Sequence, residues 1–162
     1  MNNETEFVKM IKENEGLIFK ITSIYGNSQE DKQDLYQEIV LQLWKSFEKF
    51  RHEAKVSTWI YRVALNTAIS RLRKDKKSNE TILDDKLMYS LPDNQDSILE
   101  ERSKELYIQI ARLNDIEKAV VLLHLENKSH NEISEITGLT VSNVGTRMAR
   151  IKQKLKENIA KN

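Results

Sequence analysis

Two groups of side chains have types and spacing suited to chemistry, and in both the chemistry is recognition rather than bond-making. Toward the C-terminus, Ser142, Asn143, Thr146, Arg147 and Arg150 share one face of a segment with helical periodicity. Asn and Arg form paired hydrogen bonds to base edges, and Ser and Thr bond phosphates or bases. Lys152, Lys154 and Lys156 continue the positive charge toward a phosphate backbone. The second group is Arg51, His52, Lys55, Ser57, Thr58, Trp59, Tyr61, Arg62 and Asn66, which combines cations, hydroxyls, aromatics and an amide at one loop–helix junction. Aromatic faces stack on unpaired bases for about 1–3 kcal/mol per base. Cations beside them track phosphates, so this group suits single-stranded DNA better than an intact duplex. Each group also has a plainer reading. The first fits an αα-hairpin with a solvated basic face, and in the second Trp59 and Tyr61 fit a hydrophobic core.

Other chemistries find little support. The chain has no Cys, which excludes disulfide scaffolds, Cys-ligated zinc and thiol nucleophiles. His52, His124 and His130 have no metal-ligand spacing on one helix face. No paired carboxylate, nucleophile or phosphate-cradle motif is present, so no catalytic residue, metal or cofactor is expected, and the protein is not expected to be an enzyme. No apolar run approaches the length of a membrane span, so no membrane insertion is expected. The start, Met1-Asn2-Asn3-Glu4, is too acidic and polar for a secretory signal, and a cytoplasmic protein is expected.

The elements that must position these groups are helical. With 4 Gly, 1 Pro and long stretches of Leu, Ile, Lys, Glu and Gln, the 162-residue chain favours helix nearly everywhere. Residues 6–25 repeat apolar residues at helical spacing and stop at Gly26-Asn27. A second helix is predicted from near Asp31 to about Phe50, with Leu35, Ile39, Leu43, Trp44 and Phe47 on its apolar face. A third follows a polar loop, with Ser57 as its expected N-cap, and runs into the basic residues Arg71, Arg73, Lys74, Lys76 and Lys77. Periodicity then fails over residues 78–96, which hold Pro92 and the first part of an acidic stretch, so that a net charge of +1 hides two basic patches with an acidic connector between them. Beyond it, residues 97–113 are predicted helical. Asn114 with Glu117, and Ser129 with Glu132, are capping boxes for the next two helices, the second ending at Gly138. Thr140 caps the last helix, and Ile133, Ile136, Leu139, Val144 and Met148 fall where the last two helices must touch. Short helix, glycine turn and capped basic helix form a helix-turn-helix. The expected fold is all-α: two small helical domains, residues 1–77 and 105–162, joined by a linker over 78–104.

Several blocks carry a family resemblance. Asp34-Leu35-Tyr36-Gln37-Glu38-Ile39, Leu41, Leu43-Trp44, Phe50, Ser57-Thr58-Trp59-Ile60-Tyr61-Arg62-Val63-Ala64-Leu65-Asn66 and Arg71-Leu72-Arg73 closely resemble the second region of extracytoplasmic-function sigma factors. Leu113-Asn114-Asp115-Ile116-Glu117-Lys118-Ala119-Val120 through the helix-turn-helix resembles their fourth region. The resemblance implies a factor that takes RNA polymerase to particular promoters and promotes DNA melting. It implies that Asp34, Gln37, Glu38, Leu41 and Trp44 dock on the clamp helices of the largest polymerase subunit, with the flap as a further contact. It implies that Arg51, His52, Lys55, Ser57, Thr58, Trp59, Arg62 and Asn66 take the minus-ten element, and that Ser142, Asn143, Thr146, Arg147, Arg150 and Lys152 read the minus-thirty-five element. Promoter DNA and core polymerase are the implied partners, and an anti-sigma factor is a partner the family admits. The match has departures: Ser134 stands where Ala is usual, Thr137 where Leu is usual, both expected to weaken packing slightly, and Gly145 where a basic residue is common. A self-sufficient helix-turn-helix regulator and a helical protein adaptor are the rival readings; the former needs a dimer, and no clear dimer face is present.

Overall fold

The computed structural model describes residues 3–50, 55–78 and 97–160. The apolar periodicity there becomes eight α-helices and one 3-10 turn, with no strand among the described residues. The chain divides into two compact units, Met1–Met88 and Tyr89–Asn162.

In the first unit, helices α1 (Asn3–Glu13), α2 (Glu15–Tyr25), α3 (Gln29–Ser46) and α4 (Val56–Ser78) are joined by tight turns or by the 3-10 turn Phe47–Lys49 and the segment after it. α2, α3 and α4 pack pairwise, and α1 lies against α2. Ile18, Ile21, Ile24, Leu35, Ile39, Leu43, Ile60, Ala64 and Leu65 fill the space between them. Each Ile or Leu among them, fully buried, stabilises by roughly 1.5–3 kcal/mol.

Three local features differ from the sequence expectation. The helix expected over residues 6–25 is divided at Asn14. Its side-chain Nδ2 donates to the Met10 carbonyl at 2.8 Å, while its own N–H turns to the Ile11 carbonyl at 3.1 Å, so the regular ladder is interrupted. α3 starts earlier than expected: the Ser28 hydroxyl accepts from the Asp31 N–H at 3.0 Å, and Asp31 Oδ2 accepts in return from the Asn27 N–H at 2.8 Å. Ser57 is not an N-cap. The Trp59 N–H already donates to the Lys55 carbonyl at 3.1 Å, which puts Ser57 inside the first turn of α4.

In the second unit, α5 (Ser97–Ala111) begins within the stretch expected as linker and is followed by α6 (Asp115–Leu125), α7 (His130–Thr137) and α8 (Val141–Ala160). α6, α7 and α8 pack pairwise, with α5 against α6 and α8. The helix ends form as their residues dictate. Asn114 and Glu117 bond reciprocally at 2.9 and 3.4 Å, and Ser129 and Glu132 at 3.1 Å each way. Gly138 takes φ +81°, a left-handed conformation that costs an L-residue energy, and its N–H donates to the Ser134 carbonyl at 2.9 Å. Thr140 Oγ1 accepts from the Asn143 N–H at 3.1 Å and caps α8. Ile133, Ile136, Val144 and Met148 are buried between α7 and α8, whereas Leu139 is half-buried. The two residues expected to weaken this contact have polar work in the turn. Ser134 Oγ donates to the Leu139 carbonyl, and Thr137 Oγ1 donates to the Ile133 carbonyl at 2.7 Å while accepting from the Leu139 N–H at 3.3 Å.

Candidate nucleic-acid interface

Ser142, Asn143, Thr146 and Arg150 are exposed on α8, and Arg147 is half-buried beside them. With Thr140, which the sequence marks only as a cap, they line one shallow concavity of about 490 Å3. Within it Arg147 Nε donates to Asn143 Oδ1 at 2.7 Å, so the two side chains one turn apart act together. Thr146 Oγ1 donates to the Ser142 carbonyl at 3.1 Å, which spends its proton within the helix and leaves its lone pairs outward.

The lysines beyond do not extend this face as a block. Lys152 is exposed, yet two residues past Arg150 on an α-helix is about half a turn away, and it does not line the concavity. Lys154 is not directed at a DNA backbone. Its Nζ donates to Glu117 Oε2 at 2.9 Å, tying α8 to the buried carboxylate of the α6 capping box. Sequence spacing does not show the Lys154 bond, because Glu117 lies thirty-seven positions away.

The first unit presents two further surfaces. On α3, Asp34, Gln37, Glu38, Leu41 and Trp44 are all exposed, at spacings of three and four that make one stripe. Leu41 is 48% and Trp44 43% exposed, three residues apart on the stripe. Trp44 is nevertheless held: its ring meets the edge of buried Phe7 at 5.0 Å and stacks beside Phe47 at 6.4 Å. Glu38 lies 3.8 Å from Arg71, whose other nitrogen donates to Asp31 at 2.8 Å. Arg71 is therefore an α3–α4 strut and not part of a free basic run, while Arg73 and Lys74 are exposed. Next to the stripe, burial and then the Glu15 carboxylate push the Tyr36 phenol above its ordinary pKa. Its ring lies against exposed Phe19, with centroids 5.0 Å apart.

On α4, Arg62 and Asn66 are exposed one turn apart on one face, Lys55 is exposed just before the helix begins, and Ser57 is half-buried. Thr58 and Trp59 are 4% and 8% exposed, and Tyr61 is buried. The Trp59 ring stacks on half-buried Phe50, with centroids 4.6 Å apart and planes 22° apart, and meets Phe47 at 6.3 Å. Phe50, one of the residues that carry the family resemblance, thus joins the aromatic group as the more accessible ring. Arg51 and His52 lie outside the described residues. No group of three or more metal-ligating side chains occurs among the described residues, and no described helix is long and apolar enough to cross a membrane.

Comparison with known proteins bears on both units. Residues 10–78 match the family described as Sigma-70 region 2, and residues 103–155 match Sigma-70, region 4. The ECF RNA polymerase sigma-E factor of Haemophilus influenzae is 30% identical over 145 residues, covering 82% of this chain and 76% of that protein. The ECF RNA polymerase sigma factor SigW of Bacillus subtilis is 31% identical over 150 residues, covering 83% and 78%. Among solved structures, the sigma factor RpoE from Bartonella quintana, in complex with the anti-sigma factor NepR, superposes with a TM-score of 0.77 at 14% identity, covering 96% of this chain and 97% of that one.

Proposed function

Since this chain belongs to the ECF RNA polymerase sigma factors of the sigma-70 family, which direct RNA polymerase to specific promoters, we propose that its units divide that task into one grip on the enzyme and two on the DNA. The α3 stripe of Asp34, Gln37, Glu38, Leu41 and Trp44 docks on the clamp helices of the largest polymerase subunit. Leu41 and Trp44 supply apolar area, and the acids meet basic residues across the interface. The second unit faces the polymerase flap and lays α8 in the major groove of the minus-thirty-five element. There Ser142, Asn143, Thr146, Arg147 and Arg150 face the bases, and Lys152 reaches phosphate from the side.

The minus-ten element is taken as single strand at the start of α4. Lys55, Arg62 and Asn66 form the accessible face, with Arg51, His52, Ser57 and Thr58 around it. Trp59, covered on one side by Phe50, forms the aromatic wall. Extruding a base costs a few kcal/mol, and stacking returns about 1–3 kcal/mol per base, so such a surface biases the complex toward melted DNA. No bond is made or broken by the protein; it works by binding energy, in the cytoplasm. An anti-sigma factor is a further partner, supported by the complex in which RpoE was solved.

The observation that carries this reading is the pairing of an exposed acidic and apolar stripe on α3 with an exposed, arginine-bearing polar face on α8. Run-off transcription with core polymerase across a promoter library tests it. Transcripts are expected from a narrow subset of templates, and initiation from none of them sinks the reading. Trp44→Ala is expected to weaken core binding at least about tenfold, the loss of a good interface anchor, without changing which promoters are used. Unchanged core affinity rejects the docking stripe.

A further inference from the structure

We infer that Arg147 reads a guanine in the upstream promoter element and that Asn143 acts on it as a positioning residue, not as a base reader of its own. The inference rests on the assignment of α8 to duplex DNA made above, and it says which base and which side chain carry the selectivity.

The geometry starts from the 2.7 Å bond between Arg147 Nε and Asn143 Oδ1. Nε carries a single hydrogen, and only the oxygen of the amide accepts it, so chemistry fixes which way the Asn143 amide faces. A guanidinium has five N–H donors in a rigid plane. With the inner one committed to Asn143, the two terminal nitrogens remain as an end-on fork. In the major groove that fork matches the O6 and N7 acceptors of guanine. The bond also removes freedom from a long side chain before DNA arrives, and such preorganisation lowers the cost of binding.

The same bond argues against the obvious use of Asn143. A paired contact to adenine needs Oδ1 to accept from N6 while Nδ2 donates to N7. Making it while keeping the Arg147 bond would engage both lone pairs of Oδ1 and fix one amide plane to two partners at once. Residue type alone nominates both side chains as readers, whereas the hydrogen bond ranks them. The neighbours fit a guanine site. Thr146 has spent its proton on the Ser142 carbonyl, so its hydroxyl does not compete as a donor for the acceptors the fork would take.

The test uses the full chain with core polymerase and promoter fragments randomised across the upstream element, with bound fragments sequenced at several salt concentrations. The wild-type protein is expected to favour guanine at one position by roughly 5- to 150-fold, the range for a good bidentate pair. Arg147→Ala is expected to flatten that position. Arg147→Lys is expected to flatten it while leaving the salt dependence unchanged, because charge is kept and the fork is lost. Asn143→Ala is expected to reduce the same guanine preference several-fold and to disturb no other position, and Asn143→Asp, which keeps the acceptor, to restore it.

A flattened adenine preference at a neighbouring position in Asn143→Ala, with guanine intact, overturns the ranking. A uniform weakening by Arg147→Ala at all sequences, with a shallower salt slope, makes Arg147 a phosphate contact and overturns the inference. Absence of any upstream preference in the wild-type complex overturns the DNA assignment of α8 itself, a different failure from the first two. Thermal unfolding of each variant separates loss of recognition from loss of fold.

Discussion

At the scale of single residues, two glycines show how the same substitution takes opposite signs. Gly26 has φ −86° and ψ 146°, a backbone that any residue adopts, so its conformation does not demand glycine. Space does. A Cβ there would lie 2.5 Å from Lys32 Cγ and 2.8 Å from the Thr22 carbonyl oxygen, the acceptor of Gly26's own N–H. The Lys32 stem could shift, but the carbonyl belongs to α2 and cannot move without loosening the helix end. Gly26→Ala is therefore expected to destabilise the first unit by about 1–3 kcal/mol, the cost of overpacking. Gly145 stands inside α8, and a Cβ there would come no nearer than 3.8 Å, to the His130 ring. Nothing resists a methyl, and the helix gains propensity, so Gly145→Ala is expected to stabilise by about 0.5–1 kcal/mol. Urea unfolding curves measure both. Equal midpoints for Gly26→Ala and wild type would show that the turn adapts more easily than the close approach suggests.

At the scale of elements, what could be read in advance was what is local. Asn114 with Glu117 and Ser129 with Glu132 carry both halves of a capping box within four residues, and both boxes form. The polar face of α8 was legible for the same reason, since helical spacing decides which side chains share a face, whereas the α3 stripe came from the family resemblance, and spacing alone put the exposed Trp44 on the apolar face with Leu35, Ile39 and Leu43. The misjudged features hang on a single side-chain choice or a distant partner. The break at Asn14 needs one amide to turn back on Met10. Arg71 looks like one more cation in a basic run until Asp31, forty positions away, is brought beside it, and Lys154 likewise meets Glu117 only in the folded unit. α7 tests the local rule directly. With eight residues it is too short to hold together alone, so its cap and its packing carry it. Ser129→Ala, which removes the acceptor for the Glu132 N–H, is expected to cost about 1 kcal/mol. The loss should appear in thermal unfolding and as weaker binding to upstream duplex. A melting temperature unmoved by Ser129→Ala would mean that the buried Ile133 and Ile136 hold α7 in place without its cap.

At the scale of the whole molecule, the question is why two small units travel on one chain. Neither candidate DNA surface is large: one concavity on α8 and one face of α4. Each alone offers a handful of contacts, and ordering side chains and losing translational freedom offset much of what those contacts yield. Covalent connection changes the arithmetic. Once one unit is bound, the other is presented at an effective concentration set by the connecting chain, and overall avidity rises by about 10²–10⁴ without any new contact. If promoter recognition uses both units at once, the connection between them contributes as much as a strong binding residue. A protease site introduced within residues 79–96 isolates that contribution. Cleaving the purified protein leaves both units in equal amount, and size-exclusion chromatography verifies that they separate. Run-off transcription from a cognate promoter, titrated with cleaved and uncleaved protein, is expected to need at least about a hundredfold more of the cleaved form. Matching titrations would mean that the polymerase surface alone brings the units into register, so that the chain between them contributes nothing to the grip on the promoter.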